Sequence, residues 1–211
     1  MSDQSLCRIG VFYDGSYFSY AQVHFYADCK LGWMMFTPFH MMVENFLRDK
    51  EQGYFNYRVV YAGWFQGLYH SGQSNDHQRR VERNRHLDLM HAGVEPKYVP
   101  MSQEQGEKGV DIALAIDALQ VGLEDKIDIA VLVTGDGDFV PLARALMKNG
   151  IRVATVYFQY ESEKGKSFAN ERLLSVSNYT LNVNELEKDR KNQGVFRSLF
   201  RQPEKGQEPL A

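Results

Sequence analysis

The chain has 211 residues, 44% of them hydrophobic, a formal net charge of −3 and a sequence pI of about 6.1. This is enough apolar material for one substantial core, while the acidic balance excludes a broad electrostatic coat over nucleic acid and leaves room for a local basic groove. Cys7 and Cys29 have no metal-ligand spacing and suit a reducing compartment, with a mutual disulfide the alternative; with no leader-like opening and no run approaching ~18 apolar residues, a soluble, cytoplasmic protein without a membrane partner is expected.

The first strand-like run, residues 8–13, is almost continuously apolar and empties into Asp14 and Gly15. A helical pattern over 38–50 follows, then a strand over 57–64. The helical stretch 75–91 carries Arg79, Arg80, Arg83 and Arg85. Arg79 and Arg83 stand one turn apart, forming either a basic stripe for phosphates or a solvated face paired with Glu82 and Asp88. A strand over 96–101 leads to a helix over 110–123 that is apolar almost all round, so it is expected to be largely buried. Asp111 sits in its first turn, where the helix dipole favours a carboxylate. Asp117 lies about 120° further round, on another face, and reads as an acid that either supports the site from behind or serves structure. The strand at 127–134 has the apolar character of a centre strand and runs into "TGDGDF" and a helix over 140–148, closed by Asn149 and Gly150. A strand over 151–158 and a helix over 167–176 complete the series. Residues 1–186 read as one domain and 187–211 as a polar, partly ordered tail, with Val195, Phe196, Leu199 and Phe200 able to dock as a short helix.

Strand and helix alternating in this way predict an α/β fold: a central, mainly parallel sheet of about five strands with helices on both faces. Such sheets build their sites at the carboxyl ends of the strands, which directs attention to Asp14, Asp136 and Asp138. Alone, Asp14 is an ordinary turn former, and Asp138 is well placed to cap the helix that follows. Two carboxylates bracketing a glycine exceed what capping needs, and Gly135 and Gly137 are expected to turn the backbone sharply and keep bulk out of the crevice. Gathered carboxylates repel one another unless a cation or protons compensate, and Mg2+ or Mn2+ suits an all-oxygen set. Thr134 is placed to position a phosphate or a water, or serves plain β propensity. Lys108, Lys164, Lys166 and Arg172 are further phosphate candidates, with solvation the alternative. Tyr17, Phe18 and Tyr20 are candidates for base stacking, whereas Trp33, Trp64, Met34, Met35, Met41 and Met42 read as packing. His70, in a glycine-rich loop, is a lone histidine; zinc spacing and glycine-rich nucleotide motifs are missing from the sequence.

Three segments carry a resemblance. "VFYDGSYF", "EKGVDIALAIDAL" and "VLVTGDGDFVPLARALMKNGIRV" resemble the hallmark segments of the NYN domain, specifically its LabA-like branch, within the PIN-like, Rossmann-type nuclease superfamily. The similarity runs from about residue 8 to residue 186. It implies a PIN-type three-layer fold whose acidic cluster binds a divalent cation for phosphodiester hydrolysis, with RNA favoured over DNA. Carried over by motif, the catalytic and metal-binding candidates are Asp14, Asp111, Asp136 and Asp138. From the residues themselves, and not from the motifs, Ser16, Lys108, Thr134, Arg79 and Arg83 are candidates for supporting or substrate-binding places. Many relatives have an asparagine soon after the first aspartate, where this chain has Ser16 and Tyr17. A non-catalytic nucleic-acid-binding or regulatory module is the second reading. A phosphohydrolase of the haloacid-dehalogenase type is a weak third, since that chemistry wants a second aspartate where Ser16 stands. A homo-oligomer is compatible with each.

Overall fold

A computed structural model of the chain describes residues 6–69, 76–101, 108–162 and 165–201. The chain runs β1 (Leu6–Asp14), α1 (Gly15–Val23), a π-helical turn (His24–Asp28), β2 (Trp33–Met34), α2 (Phe36–Lys50), β3 (Asn56–Tyr69), α3 (Asp76–His91), β4 (Glu95–Met101) and α4 (Val110–Leu123). It continues through β5 (Ile129–Val133), a 3-10 turn (Gly137–Phe139), α5 (Val140–Lys148), β6 (Arg152–Tyr157), β7 (Tyr160–Ser162), β8 (Gly165–Ser167), α6 (Glu171–Val176), β9 (Tyr179–Asn182), a second 3-10 turn (Val183–Glu187), α7 (Gln193–Ser198) and β10 (Phe200–Arg201).

Six of the strands form one sheet in the order β4-β3-β1-β5-β6-β9, every neighbouring pair parallel. This is the order of the doubly wound Rossmann sheet, and the chain reverses its direction of travel across the sheet between β1 and β5. The sheet expected to hold about five strands gains β9, only four residues long. Alternate side chains of the centre strands enter opposite layers, as the period of two requires. Ile9, Val11, Tyr13, Val131 and Val133 pack with Phe18, Phe25, Phe39, Val43 and Leu47 from α1, the π turn and α2. Phe12, Ala130 and Leu132 pack with Leu114, Ala118, Leu142, Leu146 and Leu173 from α4, α5 and α6. Each fully buried side chain of this size contributes roughly 1.5–3 kcal/mol. The result is three layers, helices on sheet on helices.

One helix is unforeseen and two expectations need correction. Residues 15–23, to which the sequence pattern assigns no element, form α1 directly after β1. Residues 167–170 precede α6: Ser167 ends β8, and Asn170 caps the helix, its side chain accepting from the Arg172 N–H. Helix α4 is buried along one stripe, Val110, Leu114, Ala118 and Val121, while Ile112, Ile116 and Leu123 are exposed at 64, 61 and 58%. A near-continuous apolar sequence hid that division. Asp117 does prove structural, accepting from the Tyr61 hydroxyl at 2.5 Å and pairing with Lys97. Cys7 and Cys29 are both free. After Glu187, Phe196 and Leu199 enter the core, and β10 pairs antiparallel with β2.

The amino edge of the sheet is tied by a pair that sequence reading passed over. The Asp128 carboxylate accepts from the Arg8 backbone N–H at 2.7 Å, from its Nε at 3.1 Å and from its Nη2 at 2.8 Å. A two-pronged contact of this kind fixes the register of β1 against β5. Asp128→Asn should lower stability by about 1 kcal/mol, read as a shift of the urea midpoint with unchanged slope. Among the described residues no helix is long and apolar enough to cross a membrane.

Candidate active site

Asp14 is the last residue of β1, and Thr134 is the first after β5, the neighbouring strand at the reversal point. One hydrogen-bond chain joins them. Thr134 Oγ1 donates to Asp14 Oδ2 at 3.2 Å and accepts from the Asp136 N–H, also at 3.2 Å. Asp14 Oδ1 accepts from the Tyr17 N–H at 3.0 Å, so Asp14 also caps α1. Asp136 Oδ1 accepts from the Asp138 N–H at 2.9 Å and so caps the 3-10 turn, whereas α5, which Asp138 is expected to cap, has Phe139 at its N-cap position and no side-chain cap. Thr134 is buried, Asp14 half-buried, and Asp136 and Asp138 are exposed.

The rigidity of this corner comes from what surrounds it. Tyr13, one residue before Asp14, is fully buried among the rings of Phe18, Phe36, Phe39 and Trp64, with centroids 5.4 to 6.0 Å away. A Cβ on Gly15 would stand 2.7 Å from both the Phe65 carbonyl oxygen and the Trp64 ring. A Cβ on Gly135 would meet the Phe168 carbonyl oxygen at 2.8 Å and the Tyr17 ring at 3.1 Å. Close approach explains these glycines; neither Gly135 nor Gly137 has a positive φ, so the sharp turn expected of them is made within ordinary backbone space. Tyr17 is locked by Phe158: its hydroxyl accepts from the Phe158 N–H at 2.9 Å, and burial pushes its pKa up to about 12. Tyr17 and Phe18 are therefore held in packing, and Tyr20, 72% exposed, is the one of the three presented for stacking.

Asp111 opens α4, which packs on β1 and β3, and is exposed in the first turn; Lys108 precedes it and is also exposed. A helix returning from the carboxyl end of β4 begins at that same edge. Ser16 is half-buried in the first turn of α1. Among the described residues, no three His, Cys, Asp or Glu side chains stand close enough to hold a metal ion by themselves. The donor set still fits a hard cation. Mg2+ typically takes one or two carboxylates and keeps several waters, and a carboxylate that has accepted one hydrogen bond per oxygen retains lone pairs for a ligand.

The family model for the NYN domain matches residues 8–180. The chain belongs to the NYN domain family. That family lies within the PIN-like nuclease superfamily. No curated protein and no solved structure matches the chain.

The acidic corner has neighbours that the sequence did not reveal. Asn170 donates its backbone N–H to the Gly135 carbonyl oxygen at 2.8 Å, and a Cβ on Gly137 would meet its amide nitrogen at 2.5 Å. The start of α6 is thus stitched to the acidic loop; the cap signal in "ANERLL" was readable, its partner was not. Arg79 and Arg83 are exposed on α3, whereas Arg85 folds over Trp64 at 5.6 Å and donates to Gln66 Oε1 at 3.2 Å. His70 and Lys164 lie outside the described residues; Lys166 and Arg172 are exposed near β8 and α6.

Proposed function

We propose that this NYN chain, of the LabA-like branch, is a divalent-metal-dependent nuclease that hydrolyses phosphodiester bonds in nucleic acid, RNA in preference to DNA. The observation that carries the reading is the Asp14–Thr134–Asp136 hydrogen-bond chain at the β1/β5 reversal point. Asp14 and Asp136 would hold Mg2+ or Mn2+, with Asp111 and Asp138 acting on its waters. When bound, such a cation supplies Lewis-acid polarisation of a phosphoryl oxygen and lowers the pKa of an attacking water. The residues of the chain supply the positioning. Thr134 orients the Asp14 carboxylate and, by accepting from the Asp136 backbone N–H, fixes the loop from which the Asp136 carboxylate extends, while the Asp138 N–H holds that carboxylate. The helix cap on Asp14 keeps that carboxylate at the strand end. Ser16, in the first turn of α1, and Lys108, two residues before α4, suit hydrogen bonding or charge pairing with the scissile phosphate. A cytoplasmic setting and self-association belong to the same reading, supported by the free cysteines and by the apolar side chains on the outer face of α4.

The test is cleavage of labelled single- and double-stranded RNA and DNA with Mn2+, Mg2+ or chelator. Metal-dependent hydrolysis, fastest on RNA, is expected; no cleavage with any substrate in either metal removes the proposal. One observation favours a second reading, a non-catalytic nucleic-acid-binding or regulatory module: the described acids form no ready-made group of three. Binding without turnover in the same assay would select it.

Arg79 and Arg83 are assigned to phosphate binding outside the site. Replacing both with alanine should weaken RNA binding and reduce the slope of log K against log salt by about 0.7 for each phosphate no longer neutralised. Unchanged affinity and slope would assign the pair to a solvated helix face.

A further inference from the structure

At the far end of the helical segment that Asp14 caps, three side chains form a second chemical constellation. Cys29 Sγ lies 3.3 Å from His24 Nε2, and His24 Nδ1 lies 3.0 Å from Asp28 Oδ2. A nucleophile, a base and an acid that orients the base stand in that sequence, each within hydrogen-bonding reach of the next. The π turn is what makes the arrangement possible. In a regular α-helix a residue five positions on lies about 140° round the axis, so Cys29 would point away from His24. Here the Cys29 N–H bonds back to the His24 carbonyl oxygen at 3.1 Å, the i→i+5 bond of a π turn, and brings residues 28 and 29 to opposite sides of one imidazole. The ring itself is clamped flat on Tyr160, with centroids 3.7 Å apart and planes 3° from parallel. His24 is buried, whereas Cys29 is exposed.

We propose that Cys29, His24 and Asp28 form a base-assisted thiol site that takes up a small disulfide as a mixed disulfide, independently of the acidic site. Donation of the His24 Nδ1–H to Asp28 leaves Nε2 as the acceptor facing the thiol. His24 takes the Sγ proton as Cys29 attacks one sulfur of the disulfide. A new S–S bond forms, the old one breaks, and its electron pair leaves on the second sulfur. That leaving thiolate takes the proton from His24. Protein thiol and disulfide thus become mixed disulfide and free thiol, the small disulfide being the oxidant. Partial burial, together with Glu187 and Asp28, pushes the Cys29 pKa up, so the resting group is a neutral thiol and depends on its base. A thiol of raised pKa is also a stronger nucleophile once deprotonated and a poorer leaving group, which favours keeping the adduct.

The test measures the rate at which 2-hydroxyethyl disulfide modifies each cysteine of the full chain at neutral pH, by intact mass and peptide mapping. Cys7 is the internal control, fully buried with a thiol pushed up to about 12, and should stay unmodified in the native protein. Cys29 should react, and His24→Gln and His24→Phe, the latter keeping a ring against Tyr160, should each slow it roughly tenfold or more. Asp28→Asn should slow it less, because the base remains. Equal Cys29 rates in wild type and both His24 variants, with Cys7 still protected, would overturn the proposal. If a His24 variant exposes Cys7 and so reports a loosened fold, Asp28→Asn decides: an unchanged rate overturns the proposal, and a slower rate with Cys7 protected supports it.

Discussion

Asp136→Asn should abolish metal-dependent cleavage, by on the order of 100- to 1000-fold or more, because metal charge stabilisation of a phosphoryl transition state is worth several kcal/mol. The fold should survive. Asp136 caps the 3-10 turn through Oδ1 and the Asp138 N–H, and asparagine caps about as well as aspartate. The substitution therefore retains the bland role and removes only the charge. Asp136 is exposed with Asp138 two residues on, and neutralising it removes whatever like-charge repulsion that corner holds in the metal-free protein. The expected set of results is abolished activity, weaker stabilisation by Mg2+ and an unchanged or higher melting temperature without metal. A purified variant that cleaves as fast as wild type under matched metal conditions would show that Asp136 is a cap and nothing more.

A second large effect should appear in acid. His40 on α2 is buried, its Nε2 without a hydrogen-bond partner among the described residues, and burial lowers its pKa from 6.5 to about 4. Nearby, the Tyr13 hydroxyl is likewise buried without a partner among them, and the cost of burying an imidazolium is what lowers the pKa. Between those two pKa values the unfolded chain binds a proton at His40 that the folded chain does not. Stability is then complete above about 6.5 and falls as pH drops toward 4. From pH 7 to pH 5 the loss assigned to this one group is about 2 kcal/mol. His40→Met, of similar bulk and without a titrating group, should lose about 2 kcal/mol less over the same interval in urea unfolding. Identical losses in the two proteins would mean that His40 is not what acid attacks.

The parts of the fold that were legible share one property: each is a segment whose apolar pattern is imposed by burial. β1, β5 and β6 are apolar because both faces are covered; α5 was placed to the residue because its apolar stripe continues to its end, and α4 because its near-continuous apolar run does. α1 was illegible because Asp14-Gly15 reads as a turn and "GSYFSYAQV" is rich in aromatics; the segment owes its helix to Asp14's cap and to Phe18 and Phe25 packing into the core. β9 was too short to show a period, and tertiary pairing with β6 makes it a strand. Sequence placed Asp14 and Asp136 at strand ends, but it could not reveal that Thr134 joins them, because the hydrogen bond to Asp14 spans 120 residues. The His24–Asp28–Cys29 set was hidden for another reason. Helical periodicity puts residues 24 and 29 on different faces, and only a π turn brings them together.

The central claim is that a divalent cation binds where β1 and β5 part. Its most direct test is an anomalous diffraction map from crystals grown with Mn2+, alongside Asp14→Asn and Asp136→Asn crystals treated in the same way. The account predicts a peak touching the Asp14 and Asp136 carboxylates in the wild type, absent or greatly weakened in both variants. Manganese held by other residues, or none at Asp14 and Asp136 at a concentration that supports cleavage, would contradict it.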